Sequence, residues 1–399
     1  MIITAVEPIM LCYKPEAAPR DGLANIPTRD VFLVKVHTDE GITGIGEGFA
    51  LSSLKSTAVL VEETLAPLII GKDPMMIEEL WNLMYQQTFR YGRRGILIAG
   101  LSAIDIALWD ILGKKTGLPV YKLLGGANPS LIPYASAGYY MEGKTVEDLA
   151  HEALSYRQMG FGVMKMKIGG ASMAEDQERI HAVREAAGDD FRLAVDANNA
   201  YDFNDALKMA RFCEREDLFF FEEPLSPEFM EDSKRLADAV DVPIAGYETQ
   251  LTRYGMRDFI TNNAVDIVQV DAIWSGGLTE CRKTAILAST WNKTIIPHFS
   301  AGIVSLIANI HLGMGVHNCK YMEYTLDKNP LRDELGMEPL KMENGVVKVS
   351  DKPGLGIELN EDTLRKYKIT LYEEEENDEE SSVGNGWYDG IIPGRMWFF

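Results

Sequence analysis

VMKMKIG at residues 163–169, FRLAVDANN at 191–199 and LFFFEEP at 218–224 decide the fold: each is a short apolar run that carries ionisable side chains at or near its end. The same pattern returns in VPIAGYE (242–248), DIVQVD (266–271), TIIPHF (294–299) and KYMEY (320–324), and LIPYASAG (131–138) precedes them all. Lys167, Asp196, Glu222, Glu248, Asp271, His298 and Glu323 thus recur at intervals of 23 to 29 residues, about one strand plus one helix. Eight such runs predict an α/β protein built as a (β/α) barrel, which carries its catalytic groups at the C-terminal ends of its strands.

Outside this region the pattern changes. Residues 1–50 read as strands, and Asp39-Glu40-Gly41 between alternating runs signals a hairpin. Apolar positions at helical spacing follow over 56–69, 75–88 and 97–116, stopped by Gly117-Leu118-Pro119. Residues 1–128 are therefore expected to form a separate α+β domain and residues 129–330 the barrel. Residues 331–399 are expected to return to the first domain, ending in a like-charge run, EEEENDEESS (373–382), and an apolar, aromatic tail, GWYDGIIPGRMWFF.

The 399 residues include 39 basic and 60 acidic side chains, a net charge of −21. No basic stripe is visible, which excludes nucleic acid as a partner. The N-terminus carries Glu7 and no basic start, against a secretory signal, and no window is expected to approach a membrane span. Four scattered cysteines, Cys12, Cys213, Cys281 and Cys319, without a CxxC pair, predict buried thiols in a reducing cytoplasm.

The strand-end acids carry the chemistry. An unpaired carboxylate at the end of a buried strand is costly, and a divalent cation resolves that cost for Asp196, Glu222 and Glu248 together. Oxygen-only ligation favours Mg²⁺, with Mn²⁺ as the alternative. Glu223, the next residue along the strand, is expected to point away from Glu222. Lys165 and Lys167 share one face of their strand, and like charge with burial is expected to lower their pKa, as a lysine base requires; the alternative is an edge strand with solvated lysines. Asp271 and His298 end adjacent strands, where the carboxylate would fix the imidazole's tautomer and raise its pKa. Glu323 is expected to be protonated and to donate a hydrogen bond to a substrate carboxylate, or else to form a structural salt bridge. His37, His151, His181, His311 and His317 have no comparable setting.

The ordered set KMK, DANN, FEEP, GYE, QVDAIWSGG, PHFSAG and MEY resembles the enolase superfamily, specifically its mandelate racemase subgroup, as do LSAIDIALWDILGKKTGLPVYKLLGG and PGLGIEL. The resemblance covers the chain to about residue 366. It implies an N-terminal capping domain, completed by C-terminal residues, over a modified TIM barrel, (β/α)7β. It implies Mg²⁺ on Asp196, Glu222 and Glu248, with Lys167 and His298 as acid/base groups on opposite faces of a small-molecule carboxylate. Lys165 would give electrostatic support, Asp271 would partner His298, Glu323 would donate to the carboxylate, and Asn198 would touch substrate or metal-bound water. A homo-oligomer is also implied.

The expected activity is dehydration of a sugar acid, an aldonate or aldarate, to a 2-keto-3-deoxy acid. Racemisation or epimerisation of a 2-hydroxy acid by the same pair is the alternative, and a non-catalytic ligand-binding descendant of the fold is a third. Selectivity is expected in loops of the capping domain, residues 15–30, 49–56 and 90–95. There Arg20, Arg90, Arg93 and Arg94 could read hydroxyls or a distal acid.

Overall fold

A computed structural model describes residues 1–371; the acidic run and the aromatic tail lie outside the described residues. The first domain is built on an antiparallel sheet of β1 (Ile3–Tyr13), β2 (Arg29–Thr38) and β3 (Thr43–Gly48). Its outer helices are Leu54–Leu60, continued through a π-turn, and Ile77–Thr88. Gly44, Gly46 and Gly48 recur with the two-residue period of β3 and meet Ala107, Ala103 and Ala99, which recur with the four-residue period of the helix Ile96–Thr116. A Cβ on Gly46 would stand 1.9 Å from the Ala103 carbonyl oxygen, so only glycine lets this helix lie against the strand.

That helix corrects one expectation. Its 21 residues have a mean hydropathy of 1.9, enough by length and composition to cross a membrane. It is instead packed on several sides, with 83% of the apolar window buried in the protein, and a helix covered all round reads as apolar all round.

The barrel strands are β4 (Ile132–Ala137), β5 (Val163–Lys167), β6 (Arg192–Asp196), β7 (Phe221–Glu222), β8 (Ile244–Gly246), β9 (Ile267–Val268), β10 (Thr294–Ile295) and β11 (Tyr321–Thr325). All pair in parallel, in chain order from β4 to β10, with β11 beside β4. A parallel bridge between Ile295 and Cys319 joins the two edges, so the sheet closes on itself. One helix lies in each of the seven crossovers. Thr145 with Asp148 and Ser172 with Glu175 form capping boxes that start two of them, satisfying backbone donors reciprocally.

Inside, Tyr134, Val163, Ala194, Phe220, Ala245, Ile267 and Ile296 form a buried apolar plug. Val163 shares its strand face with Lys165 and Lys167, which places both amines in the interior above the plug. Met164 and Met166 face the surrounding helices instead. After the barrel, the helix Glu361–Tyr367 leads into β12 (Lys368–Ile369), which pairs antiparallel with Met10 and Leu11 of β1.

Candidate active site at the barrel mouth

Strand register sets the site. Lys167 lies opposite Asp196, and Asp196 opposite Glu222, at the ends of β5, β6 and β7. Lys165 Nζ donates to Glu222 Oε1 at 2.5 Å and stands 2.7 Å from Glu323 Oε1 and 3.6 Å from Asp196 Oδ2. Lys167 Nζ donates to Asp196 Oδ2 at 2.5 Å. Across the mouth, His298 Nδ1 donates to Asp271 Oδ2 at 2.8 Å, while His298 Nε2 lies 3.3 Å from Glu248 Oε2. All these side chains are buried.

Charge sets the protonation states. Burial opposes both lysine charges, but Glu222 and Glu323 outweigh it at Lys165, and Asp196 at Lys167, so both amines are held above the ordinary lysine range. The expected lowering by mutual repulsion is therefore corrected: two ammonium groups share the interior, but carboxylates outnumber them. Burial likewise opposes the His298 imidazolium, yet Glu248, Asp271 and Glu323 carry it up to about 10. At Glu323 the second of the two expectations holds, a salt bridge, here with Lys165. Burial would raise the Glu323 pKa, but Lys165, His298 and Lys167 pull it below the usual range, and the carboxylate accepts from the Phe299 backbone N–H at 3.0 Å. It is an ionised acceptor here, not a protonated donor.

Glu223 departs from the alternation argument. β7 ends at Glu222, and Glu223 adopts φ of 42°, which keeps its carboxyl buried near Glu248, Asp196 and Glu222. Its Oε2 accepts from Asn199 Nδ2 at 2.8 Å. Asn198, at φ 45°, donates its backbone N–H to Asp196 Oδ1 at 2.8 Å.

No three His, Cys, Asp or Glu side chains converge on one ligating point among the described residues. The acids are answered by the two lysines instead. The donor set nevertheless fits a hard cation. Glu223 Oε1 and Glu248 Oε2 are buried without hydrogen-bond partners, and burial, ahead of the Lys165 attraction, pushes Glu222 up to about 8. Six buried carboxyls (Asp196, Glu222, Glu223, Glu248, Asp271 and Glu323) share three cationic side chains, Lys165, Lys167 and His298, among the described residues. Such a surplus of oxygen donors is what a divalent ion neutralises.

A cavity of about 130 Å³ joins Lys167, Asn198, Glu248 and His298 to residues of the first domain. Its far wall includes Asp21, Thr28, Arg29 and Asp30, and Tyr139, Phe49 and Trp274 flank it. The ring of Phe49 stacks on Trp274 at 3.8 Å, joining the two domains beside His298. A larger hollow, about 640 Å³, lies along residues 337–358, away from every catalytic strand end, and we assign the chemistry to the smaller one.

The four arginines singled out in the sequence do not line this cavity. Arg20 donates to the Gly170 carbonyl at 3.0 Å and lies over Tyr140, Arg93 lies over Phe89, and Arg94 pairs with Glu228. The arginine in the wall is Arg29, buried and 2.6 Å from Asp327 of the barrel. Its position opening β2, within the 15–30 segment, was the available signal, but pairing with a residue about 300 positions on is invisible in sequence.

Fold and site together define a capped barrel with buried lysines, a histidine and carboxylates gathered at its mouth. Residues 18–125 match the mandelate racemase/muconate lactonizing enzyme N-terminal domain, and residues 148–363 the enolase C-terminal domain-like family. The chain belongs to the enolase superfamily, in its mandelate racemase subgroup. It is 42% identical over 372 residues to an arabinonate dehydratase of Saccharolobus solfataricus, covering 92% of this chain and 99% of the relative. The 3,6-anhydro-D-galactonate cycloisomerase of Zobellia galactanivorans superposes with a TM-score of 0.85 at 36% identity, covering 93% of this chain and all of that one. A racemase of Streptomyces coelicolor with bound magnesium superposes at 0.86 with 28% identity, covering 92% of this chain and all of that one. The chain is thus an enzyme of this superfamily, and its dehydratase relatives place it with the carbon–oxygen lyases.

Proposed function

We propose that the protein dehydrates a sugar acid, removing the α-proton and the β-hydroxyl to give a 2-keto-3-deoxy acid. The observation that carries this reading is the placement of Lys167 and His298 in one small cavity, each backed by its own carboxylate. Asp196, Glu222 and Glu248 would hold Mg²⁺, which supplies Lewis-acid stabilisation of the charge that develops on the substrate carboxylate. Asp196 is what holds Lys167 charged, and with that carboxylate committed as a ligand Lys167 would lose its partner and could act as base toward the α-carbon. The electron pair released there expels the β-hydroxyl, and His298, imidazolium at neutral pH, gives that oxygen its proton so that water leaves. The enol then becomes the ketone. Lys165 and Asn198 orient the acid end of the substrate, and Glu323 keeps Lys165 charged.

The far wall favours a single-headed acid, an aldonate. Asp21 and Asp30 suit hydroxyl donors and repel a second carboxylate, and Arg29 is already neutralised by Asp327. The arabinonate dehydratase relative agrees with that choice. The reaction belongs in a reducing cytoplasm, in keeping with four unpaired cysteines. A panel of aldonates with Mg²⁺, assayed for 2-keto acid and for deuterium uptake at the α-carbon, tests the proposal. Inversion without keto acid would move it to a racemase, and no exchange with any acid would end it.

A further inference from the structure

The Asp271–His298 pair is held from behind by a residue that the mechanism above does not use. Asn309 lies fully buried in the helix Ile303–Gly315, which follows the strand of His298. Its Nδ2 donates to Asp271 Oδ1 at 2.9 Å and lies 3.2 Å from the His298 carbonyl oxygen. Its Oδ1 accepts the backbone N–H of Ala272 at 2.9 Å. One side chain therefore touches the carboxylate, the residue after it, and the backbone of the histidine. Asp271 uses Oδ1 for Asn309 and the Ile273 N–H, leaving Oδ2 aimed at His298 Nδ1.

The helix is anchored from the other domain. Glu47, at the end of β3, accepts the N–H groups of Gly302 at 2.7 Å and Ser305 at 2.8 Å, at the first turn of that helix. This fixes the axial position of Asn309, about one helical turn further on.

We infer that Asn309 is a positioning residue for the proposed acid: it locks the Asp271 carboxylate in the rotation that orients His298. This rests on the dehydratase reading for its kinetic consequence but not for its structural one. Without the amide, Asp271 can turn about its terminal torsion, which is broad and nearly two-fold, and the imidazole follows it. Proton delivery to the leaving hydroxyl then suffers while substrate binding does not.

The test uses the full chain with its six histidines labelled with ¹⁵N in the imidazole. The Nδ1–H signal of His298 is identified by its loss in His298→Asn. In Asn309→Leu that proton should exchange with solvent at least tenfold faster, the other histidine signals staying in place. Dehydration should fall at least tenfold in kcat with KM within twofold. Asn309→Ser, which keeps a hydroxyl too short to span both partners, should behave alike and serves if the leucine variant does not fold. An unchanged Nδ1–H signal in a folded variant overturns the inference. So does an Asn309 effect on α-deuterium exchange that is the same in wild type and in His298→Asn, because a residue acting through His298 has no effect once His298 is gone. Absence of all turnover would defeat the dehydratase reading and leave the spectroscopic comparison to decide the role of Asn309.

Discussion

The Lys165 ammonium lies 2.5 Å from Oε1 of Glu222, with both groups fully buried. The same ammonium stands 2.7 Å from Glu323, which is ionised, so removing it leaves a buried carboxylate uncompensated, at a cost of about 3–5 kcal/mol. Lys165→Met should therefore lower the melting temperature measured without added metal. If the acids bind Mg²⁺, the ion should restore more stability to this variant than it adds to wild type. A variant as stable as wild type at neutral pH would show that Glu323 is not charged there.

Magnesium itself should stabilise the wild-type protein. An ion that binds only the folded state at 100 times its Kd contributes about 2.7 kcal/mol. Glu248→Gln removes one of the three proposed ligands and should abolish most of that gain in a thermal titration. The buried Oε2 of Glu248 makes no hydrogen bond and faces His298 Nε2 at 3.3 Å, so it is the group the ion would satisfy. An equal gain in both proteins would remove Glu248 from the ligand set.

Lys167→Ala and His298→Asn should separate the two halves of the reaction. The first should abolish α-deuterium exchange and dehydration together. The second should suppress dehydration more than exchange, because general-acid assistance typically contributes about 10²–10⁴-fold. Equal loss of exchange in both variants would reverse the assigned roles for the substrate used.

Gly22 bears on binding rather than chemistry. A Cβ there would stand 2.6 Å from the Ala197 carbonyl oxygen and 2.8 Å from that of Ile168, at the ends of β6 and β5. Gly22→Ala must lift the neighbouring loop, which carries Asp21, off the barrel. KM for an aldonate should rise about tenfold or more, since misplacement of about 1 Å can cost 10²-fold. An unchanged KM would show that this loop does not read the substrate.

His311 gives the fold a dependence on acid. Burial carries its imidazole down to about 4, below its ordinary 6.5. Geometry agrees: Nδ1 accepts the Tyr121 N–H at 2.9 Å and Nε2 donates to the Leu355 carbonyl at 3.1 Å, so the neutral ring is already committed. The unfolded chain therefore binds more protons between these values. The stability contribution is complete above about pH 6.5 and is lost as pH falls toward 4, up to about 3 kcal/mol. Denaturant titrations across that window should show a shallower pH slope in His311→Gln, and equal slopes would refute the assignment.

Much of this was legible from residue order. Strand-end ionisable groups at regular intervals gave the barrel and their own convergence, because parallel strands joined by helices place every C-terminal end at one mouth. Alternation put Lys165 and Lys167 on one face of their strand but left open whether that face was the interior or an exposed edge, and the closed sheet makes it the interior. Their protonation was not legible, since it depends on how many carboxylates converge from other strands, a count that needs the closed sheet. Alternation failed at Glu223, where the strand stops and a positive φ turns the backbone. Arg29, Asn309 and Glu47 act through partners more distant in sequence or on another element, and nothing in their immediate neighbours marks them. The helix Ile96–Thr116 shows the converse: its composition suits lipid, and only the glycine-lined face of β3 reveals that protein surrounds it.

The two-residue pairing of β12 with β1 joins opposite extremities of the described chain in a single sheet. On a ribosome the capping layer would wait for the last barrel element to emerge before its edge strand gained that neighbour. Completion of the capping sheet is thereby tied to completion of the barrel beneath it, and a chain interrupted within the barrel would leave Met10 and Leu11 without that neighbour.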